Sequence, residues 1–131
     1  MRRMNVGSGS PFEASIGFSR AVRVGDRVAV AGTAPIAENG SVAAPGDAHG
    51  QARRCLTIIE RALAEAGAGL DDVVRTRVYL TSAAAWEGVA RAHGEVFGAI
   101  RPASTFVVVA ALLDPGWLVE IEADALLGGG P

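Results

Sequence analysis

Three carboxylates alternate along one segment near the end of the chain and are the side chains best suited to chemistry. Glu120, Glu122 and Asp124 are separated by apolar residues within 118–127. Alternate side chains of a β-strand point to opposite faces, so the pattern predicts a strand with all three acids on one face. A carboxylate buried in a cleft has a raised pKa, which suits it to proton transfer. The pattern does not decide which acid would occupy such a cleft.

A solvated sheet face is the alternative interpretation of the same pattern. Arg75 and Arg77 alternate in the same way within 72–81, on a second predicted strand. On neighbouring strands these arginines would pair with the acids, each pair contributing well under about 1 kcal/mol. We favour this interpretation for Glu122 and Asp124.

One cysteine and two histidines complete the reactive side chains. His93 falls on a predicted helix. Its titration near neutral pH suits proton transfer, but burial between helix and sheet is the favoured interpretation. Cys55 is best explained as a small buried thiol in the middle of another helix, and His49 as a solvated residue near the start of that helix. Their spacing matches no metal site, so the sequence predicts no metal.

Length and composition bound the fold that must position these groups. The 131 residues fit one domain, 1–131, with a loosely held lead-in at 1–14 and a frayed tail at 128–131. Half of the residues are hydrophobic and the net charge is −2, which predicts a globular protein with no attraction to nucleic acid or anionic membranes. No stretch reaches the roughly 20 apolar residues of a membrane span, and a single cysteine favours a reducing compartment, so we expect a cytoplasmic protein.

Hydrophobic periodicity and turn residues predict the element order ββαβαββ. The predicted helices begin after Asp47 and Ser82 and end before Gly67 and Gly98, and the predicted strands are 20–24, 27–33, 72–81, 104–111 and 118–127. Helices between strands predict an α+β fold, one mixed sheet with both helices on a single face. Residues 106–109 are apolar on both sides of their strand, so the uncovered side predicts a homo-oligomer with ligand sites between subunits.

Several short motifs resemble those of the RidA (YjgF) family. The segment 101–105, Arg-Pro-Ala-Ser-Thr, followed by 119–123, Val-Glu-Ile-Glu-Ala, resembles the family's Pro-Ala-Arg-Ser stretch and Ile-Glu-Ile-Glu-Ala strand. Further matches, in chain order, are Gly17-Phe18, 31–35, 51–53 and 73–80. The resemblance covers about residues 15–127, and its element order agrees with the one predicted from periodicity.

Membership of this family implies a chorismate-mutase-like fold and a homotrimer, a trimeric barrel with clefts between its subunits. It implies hydrolysis of reactive enamines and imines to keto acids and ammonia, without metal or organic cofactor. The label endoribonuclease L-PSP also belongs to the family. By position, Glu120 is the catalytic glutamate that, with backbone groups, places the attacking water. The positions to which the resemblance assigns binding of the small-molecule ligand are Phe18, Gly32, Thr33, Ala90, His93, Ala103, Ser104 and Thr105.

The chain departs from the family at a central binding position. Ser104 stands where the family arginine clamps the substrate carboxylate, and a serine has neither the charge nor the paired donors. The loss costs on the order of 2–5 kcal/mol of binding, enough to exclude 2-iminopropionate and similar acids. Phe18, Ala90 and His93 also differ, standing where the family often has tyrosine, asparagine and tyrosine. Arg101 is an odd number of residues before Ser104 and should face the other way.

Two functional hypotheses remain open. One is an enzyme that hydrolyses an imine or enamine lacking a free carboxylate, with Glu120 as its catalytic group and with Ser104, Thr105 and the Gly32 backbone beside the substrate. The other is a trimer that binds a small molecule or regulates without turnover, which the missing arginine favours. A ribonuclease ranks last, because the chain offers no paired histidine and lysine catalysts and no basic groove.

Overall fold

The computed structural model describes residues 2–128, which form a six-stranded sheet and two long helices. The strands are β1 Arg3–Val6, β2 Ala21–Val24, β3 Arg27–Thr33, β4 Val73–Leu80, β5 Ala103–Val108 and β6 Val119–Leu126. The helices are α1 Ala48–Glu65 and α2 Trp86–Phe97. The strand order is β1-β2-β3-β6-β4-β5, in which β4 and β5 run parallel and the other neighbours antiparallel. The predicted α+β fold with a mixed sheet is confirmed.

Strand β1 adds one strand to the predicted order. The prediction of a loose lead-in over 1–14 is wrong for Arg3–Val6, which pairs antiparallel with β2 over its whole length. Val6 is the one buried residue of this strand, so the sequence carries no alternating apolar signal for it. The tail predicted at 128–131 lies, apart from Gly128, outside the described residues.

Helix α1 has the ends that the sequence predicts. The Asp47 carboxylate accepts a hydrogen bond from Gly50 N at 3.0 Å and so satisfies one of the free donors of the first turn. Gly67, with a φ of 84°, takes the chain out of the helix through the left-handed region, which favours glycine. Arg23 Nη1 donates to Ala66 O at 2.8 Å, which ties this end of the helix to β2.

Helix α2 begins later than predicted. Ser82 caps a single 3-10 turn, Ala83–Ala85, and this turn leads into α2. The helical spacing of Trp86, Val89, His93 and Phe97 predicts one apolar stripe. Val89 and Phe97 are buried as this predicts, whereas Trp86 is 47% exposed. The Trp86 ring instead meets Phe106 of β5 at the sheet edge, with the ring centroids 4.9 Å apart.

The core lies between the sheet and the two helices, and β6 supplies its centre. Every second side chain from the start of this strand is apolar and buried, which confirms the predicted alternation: Val119, Ile121, Ala123 and Ala125. The two helices pack on each other, and α1 packs on β3 and β6, so both cover the same face of the sheet. The acids of β6 lie on the opposite face, which we call the uncovered face.

Two β-bulges interrupt the ladders on either side of β6. The register shifts in β3 between Val30 and Thr33, and in β4 between Val73 and Arg75. A bulge adds one residue to a strand, so the side chains on its two sides no longer alternate in step. Alternation along 72–81 predicts that Val74 shares a face with the buried Thr76, but the bulge leaves Val73 buried and Val74 49% exposed, so that prediction is wrong.

Strand β5 forms one edge of the sheet and is shorter than predicted. Val107 and Val108 are 41% and 57% exposed. Within residues 2–128, the outer edge of β5 pairs with no further strand. Apolar side chains along an open edge are typical of a surface that another chain covers.

Candidate active site

Glu120 lies on the uncovered face, against the backbone of β3. It stands opposite Tyr79 of β4, and its neighbour Ile121 pairs with Thr33, just beyond the β3 bulge. A Cβ placed on Gly32 would lie 2.5 Å from Glu120 Oε2, a distance that forces one of the two groups to move. Because glycine has no side chain, Gly32 leaves the space that the Glu120 carboxylate occupies.

Arg20, which the sequence analysis did not select, completes this cluster. Its Nη2 donates to Gly32 O at 2.5 Å. Its Nε is buried and has no hydrogen-bond acceptor among residues 2–128. The guanidinium charge acts on two carboxylates, Glu120 and Glu13. Sequence reasoning missed Arg20 because a single charged residue before a strand does not indicate which distant residue it will meet.

The environment of Glu120 favours its protonated form. Burial raises the pKa of Glu120 above its ordinary value, the Arg20 guanidinium opposes this effect, and the Glu122 carboxylate adds to it. The net result is a pKa above the ordinary value, so Glu120 is a stronger base than an exposed glutamate. A positioned carboxylate of this kind suits the acceptance of a proton from water.

Glu122 and Asp124 share the uncovered face but have different partners. Arg77 Nη1 lies 3.7 Å from Glu122 Oε1 and 3.4 Å from Asp124 Oδ2. The Tyr79 hydroxyl donates a hydrogen bond to Glu122, and this bond raises the pKa of the tyrosine. These contacts agree with the cross-strand pairing that the sequence favoured for the two acids.

A second polar cluster links β5, β4 and α2. It consists of Ser104, Thr76 and His93, and we call it the Ser104 network. Thr76 Oγ1 donates to Ser104 Oγ at 2.7 Å and lies 2.9 Å from His93 Nε2. Both distances are those of hydrogen bonds, so the three polar side chains form one continuous chain. The imidazole also packs against Phe97 and Phe106, with ring centroids 4.8 and 5.4 Å away.

The two clusters lie on opposite faces of the sheet. Thr76 is fully buried opposite Ala123 on the face that the helices cover, whereas Tyr79 stands opposite Glu120 on the uncovered face. Ser104 bonds to Thr76 and so belongs with the covered face. A single chain therefore does not bring Glu120 and Ser104 into one pocket.

The other residues that the resemblance selected differ in their access to solvent. Thr33 is fully buried, and its hydroxyl donates to Ala31 O at 2.8 Å, so the structure places it in the interior and not in an open cleft. The rest are half-buried or exposed: Phe18, Ala90, Ala103 and Thr105.

The remaining reactive side chains lie apart from both clusters. Cys55 is fully buried, and burial raises the pKa of its thiol far above the ordinary value, which leaves it unreactive. His49 Nε2 lies 2.7 Å from Glu95 Oε1. In the described part of the chain, no group of three or more His, Cys, Asp or Glu side chains is arranged to hold a metal ion. Over the same residues, no helix combines the length and apolar character that crossing a membrane requires.

The stability of the protein should depend on pH through His93. Burial lowers the pKa of His93 below its ordinary value of 6.5, so the unfolded chain binds a proton over a range where the folded chain does not. This contribution to stability is complete above the unfolded pKa and is lost as the pH falls from there towards the folded pKa. Urea unfolding should therefore show a larger loss of stability between about pH 7.5 and 5.5 in the unaltered protein than in His93→Gln. The same loss in both proteins would contradict the assignment.

Together these features define a class of small α+β protein. Two helices cover one face of its mixed sheet, and the other face carries the half-buried Glu120 beside Gly32. The family model described as endoribonuclease L-PSP matches residues 9–127. The chain belongs to this family, which includes the YjgF (RidA) proteins.

Individual relatives agree with this assignment. An uncharacterised protein of Streptomyces coelicolor is 42% identical over 123 residues, 94% of this chain and 91% of the relative. The 3-aminoacrylate deaminase RutC of Acinetobacter baylyi is 33% identical over 105 residues, 80% of this chain and 82% of the relative. The crystal structure of Rv2704 from Mycobacterium tuberculosis, a member of the YjgF/YER057c/UK114 family, has a TM-score of 0.87 at 48% identity and covers 96% of this chain and 100% of its own. The resemblance suggested by the motifs is confirmed.

Proposed function

We propose that this protein is a deaminase-like hydrolase that acts on a small imine or enamine. The observation that carries the proposal is Glu120, half-buried beside Gly32 on the uncovered face, with a pKa raised by burial. A relative that is named 3-aminoacrylate deaminase supports the reaction class.

The reaction needs little beyond a placed water and a base. Glu120 accepts a proton from the water as its oxygen adds to the carbon of the C=N bond. The nitrogen takes that proton from Glu120 and becomes an amine. As the C–N bond breaks, the added hydroxyl passes its own proton to the same nitrogen by way of Glu120, so ammonia leaves and the C–O bond becomes the carbonyl of the product. Gly32 leaves the carboxylate room to lie against β3 and so fixes its position.

The substrate that we propose carries no free carboxylate at the Ser104 position. The Ser104 hydroxyl is bonded to Thr76, and the Ser104 network holds no positive charge at neutral pH, because burial lowers the pKa of His93. Such a network does not replace a bidentate arginine as a carboxylate clamp. We therefore propose an uncharged imine or enamine and not an acid such as 2-iminopropionate.

We also propose that the site is completed between copies of the chain, in a homotrimer. Glu120 and Ser104 lie on opposite faces of one sheet, so a cleft with both needs a second copy. Exposed apolar side chains at the open edge of β5 offer a surface for that contact: Trp86, Val107 and Val108. Trp86 packs on Phe106, and Phe106 packs on His93 of the Ser104 network, which supports a subunit contact next to the proposed ligand position.

A trimer that binds a small molecule without turnover is the second candidate. The observation in its favour is the uncharged Ser104 network at the position of the family arginine. In such a protein, Glu120 would orient a ligand as a hydrogen-bond acceptor and would transfer no proton.

The test measures ammonia release from freshly generated 2-iminopropionate and from an imine of similar size without a carboxylate. The unaltered protein should act on the uncharged imine alone. Ser104→Arg restores the charged donor and should improve kcat/KM for 2-iminopropionate by about tenfold or more, the effect of a charge-assisted hydrogen bond. Thr57→Arg adds the same charge at an exposed position of α1 and should change neither activity.

Turnover of 2-iminopropionate by the unaltered protein would contradict the proposed substrate class. No turnover of either compound by any variant would favour the binding protein over the hydrolase.

A further inference from the structure

A cavity of about 480 Å³ lies beside Arg20. Its walls come from α1, from the loop that follows β3 and from the segment 7–10. Neither Glu120 nor any member of the Ser104 network lines it, and it adjoins the candidate active site through Arg20, whose charge acts on Glu120. Its volume falls within the range of small-molecule sites, about 300–1,000 Å³.

Arg20 brings to this cavity a guanidinium group with free hydrogen-bond donors. The guanidinium can donate five hydrogen bonds, and within residues 2–128 it donates one, to Gly32 O at 2.5 Å. Its buried Nε has no acceptor among these residues. The Glu13 carboxylate acts on Arg20 through its charge, but it accepts its hydrogen bonds from Ser8 N and Ser8 Oγ and none from Arg20. An arginine held in this way is suited to an anion that enters the cavity.

The other charges on the wall leave one positive charge in excess. Three arginines line the cavity, Arg20, Arg54 and Arg61, against two glutamates, Glu38 and Glu65, which gives a balance of +1. Arg61 lies 3.4 Å from Glu38, and both are exposed. Arg54 Nε donates to a backbone carbonyl of the loop after β3 at 2.6 Å. The balance therefore fits a ligand with a single negative charge.

Apolar side chains define the rest of the ligand. Ile36 and Ile58 line the cavity together with three alanines of the loop and α1. This surface favours a ligand with a short hydrocarbon body, since apolar contact is gained as water leaves the cavity. A bare inorganic anion would leave these walls without a partner.

We propose that the cavity binds a small monocarboxylate, whose carboxylate contacts Arg20 and whose apolar body contacts Ile36 and Ile58. The site is distinct from the position at which Ser104 replaces the family arginine. Because Glu120 does not line the cavity, the proposal does not depend on the hydrolase activity.

Titration calorimetry with butyrate tests the proposal, with butyramide as the neutral probe of the same shape and inorganic phosphate as the anion without an apolar body. Butyrate should bind the unaltered protein more tightly than either. Arg20→Gln should weaken butyrate binding by about tenfold or more, because the charge-assisted contact is lost. Arg27→Gln removes an exposed arginine that does not line the cavity and should leave binding unchanged.

Two further variants make the outcome decisive. Ile58→Trp narrows the cavity without altering its charge and should also weaken butyrate binding, so it decides the question if Arg20→Gln fails to fold. Glu120→Gln should bind butyrate at least as tightly as the unaltered protein, whether or not the hydrolase proposal holds. Equal binding of butyrate and butyramide, tighter binding of phosphate, or unchanged butyrate binding in Ile58→Trp would overturn the proposal.

Discussion

Glu120→Gln should lower kcat for imine hydrolysis by about 10²–10⁴-fold, the usual contribution of a general base. Glutamine keeps the length and shape of the side chain and fits the space beside Gly32, but it does not accept a proton from water. The stability of the protein should change little, because burial opposes the charged form of the carboxyl. The measurements are steady-state ammonia release and the midpoint of urea unfolding.

Asp124→Asn is the matched control for this change. Asp124 lies on the same strand and the same face, where it pairs with Arg77, and it is not among the groups that set the pKa of Glu120. Its replacement should leave kcat within about twofold of the unaltered protein. If Glu120→Gln retained full turnover, Glu120 would not be the base. If it altered ligand affinity in a protein without turnover, the binding function would gain support.

Gly32→Ala should reduce kcat/KM by about 10²-fold, the cost of moving a catalytic group by about 1 Å. The new methyl group would lie 2.5 Å from Glu120 Oε2, so the carboxylate must turn away from β3. The cost in stability should stay below about 1 kcal/mol, because the displaced atom is the free end of a flexible side chain. Gly32 is not among the glycines with positive φ, so alanine adds no backbone strain.

Gly94→Ala provides the comparison for a glycine without such a neighbour. Among the described residues, no atom outside the neighbouring backbone of α2 lies within 4 Å of the position that its Cβ would take. Alanine should therefore raise helix stability by about 0.5–1 kcal/mol with turnover unchanged. The double variant Gly32→Ala with Glu120→Asp shortens the acidic side chain and should recover part of the lost activity. An active Gly32→Ala protein would show that the position of the carboxylate does not limit the reaction.

The sequence predicts those parts of the fold whose signals are local. Asp47 and Gly67 define both ends of α1, and alternation along 119–126 defines β6. Strand β1 escapes prediction because one side chain of it, Val6, is buried, and an edge strand with so little apolar content resembles a loop. The exposure of Val74 also escapes prediction, since a bulge is a property of paired strands and not of one segment.

The site was less predictable than the fold. Alternation alone makes Glu120, Glu122 and Asp124 equivalent, and the resemblance to a family was needed to select Glu120. What distinguishes Glu120 physically is its contact with Gly32 and the nearby charge of Arg20, both far away in the sequence. Such contacts depend on the register between strands, which one sequence does not reveal.

The pattern of apolar and acidic residues in β6 repeats every two residues, and the two bulges are what makes its register with the neighbouring strands unique. A slip by two residues would keep its apolar side chains inside and its acids outside, so hydrophobic burial scarcely distinguishes the native pairing from the slipped one. After such a slip, Glu122 would occupy the place of Glu120. Each bulge adds one residue to the strand beside β6, so the hydrogen-bond ladders on both sides of β6 match it in one register. The irregular parts of the sheet thereby decide which of three interchangeable acids becomes the functional one.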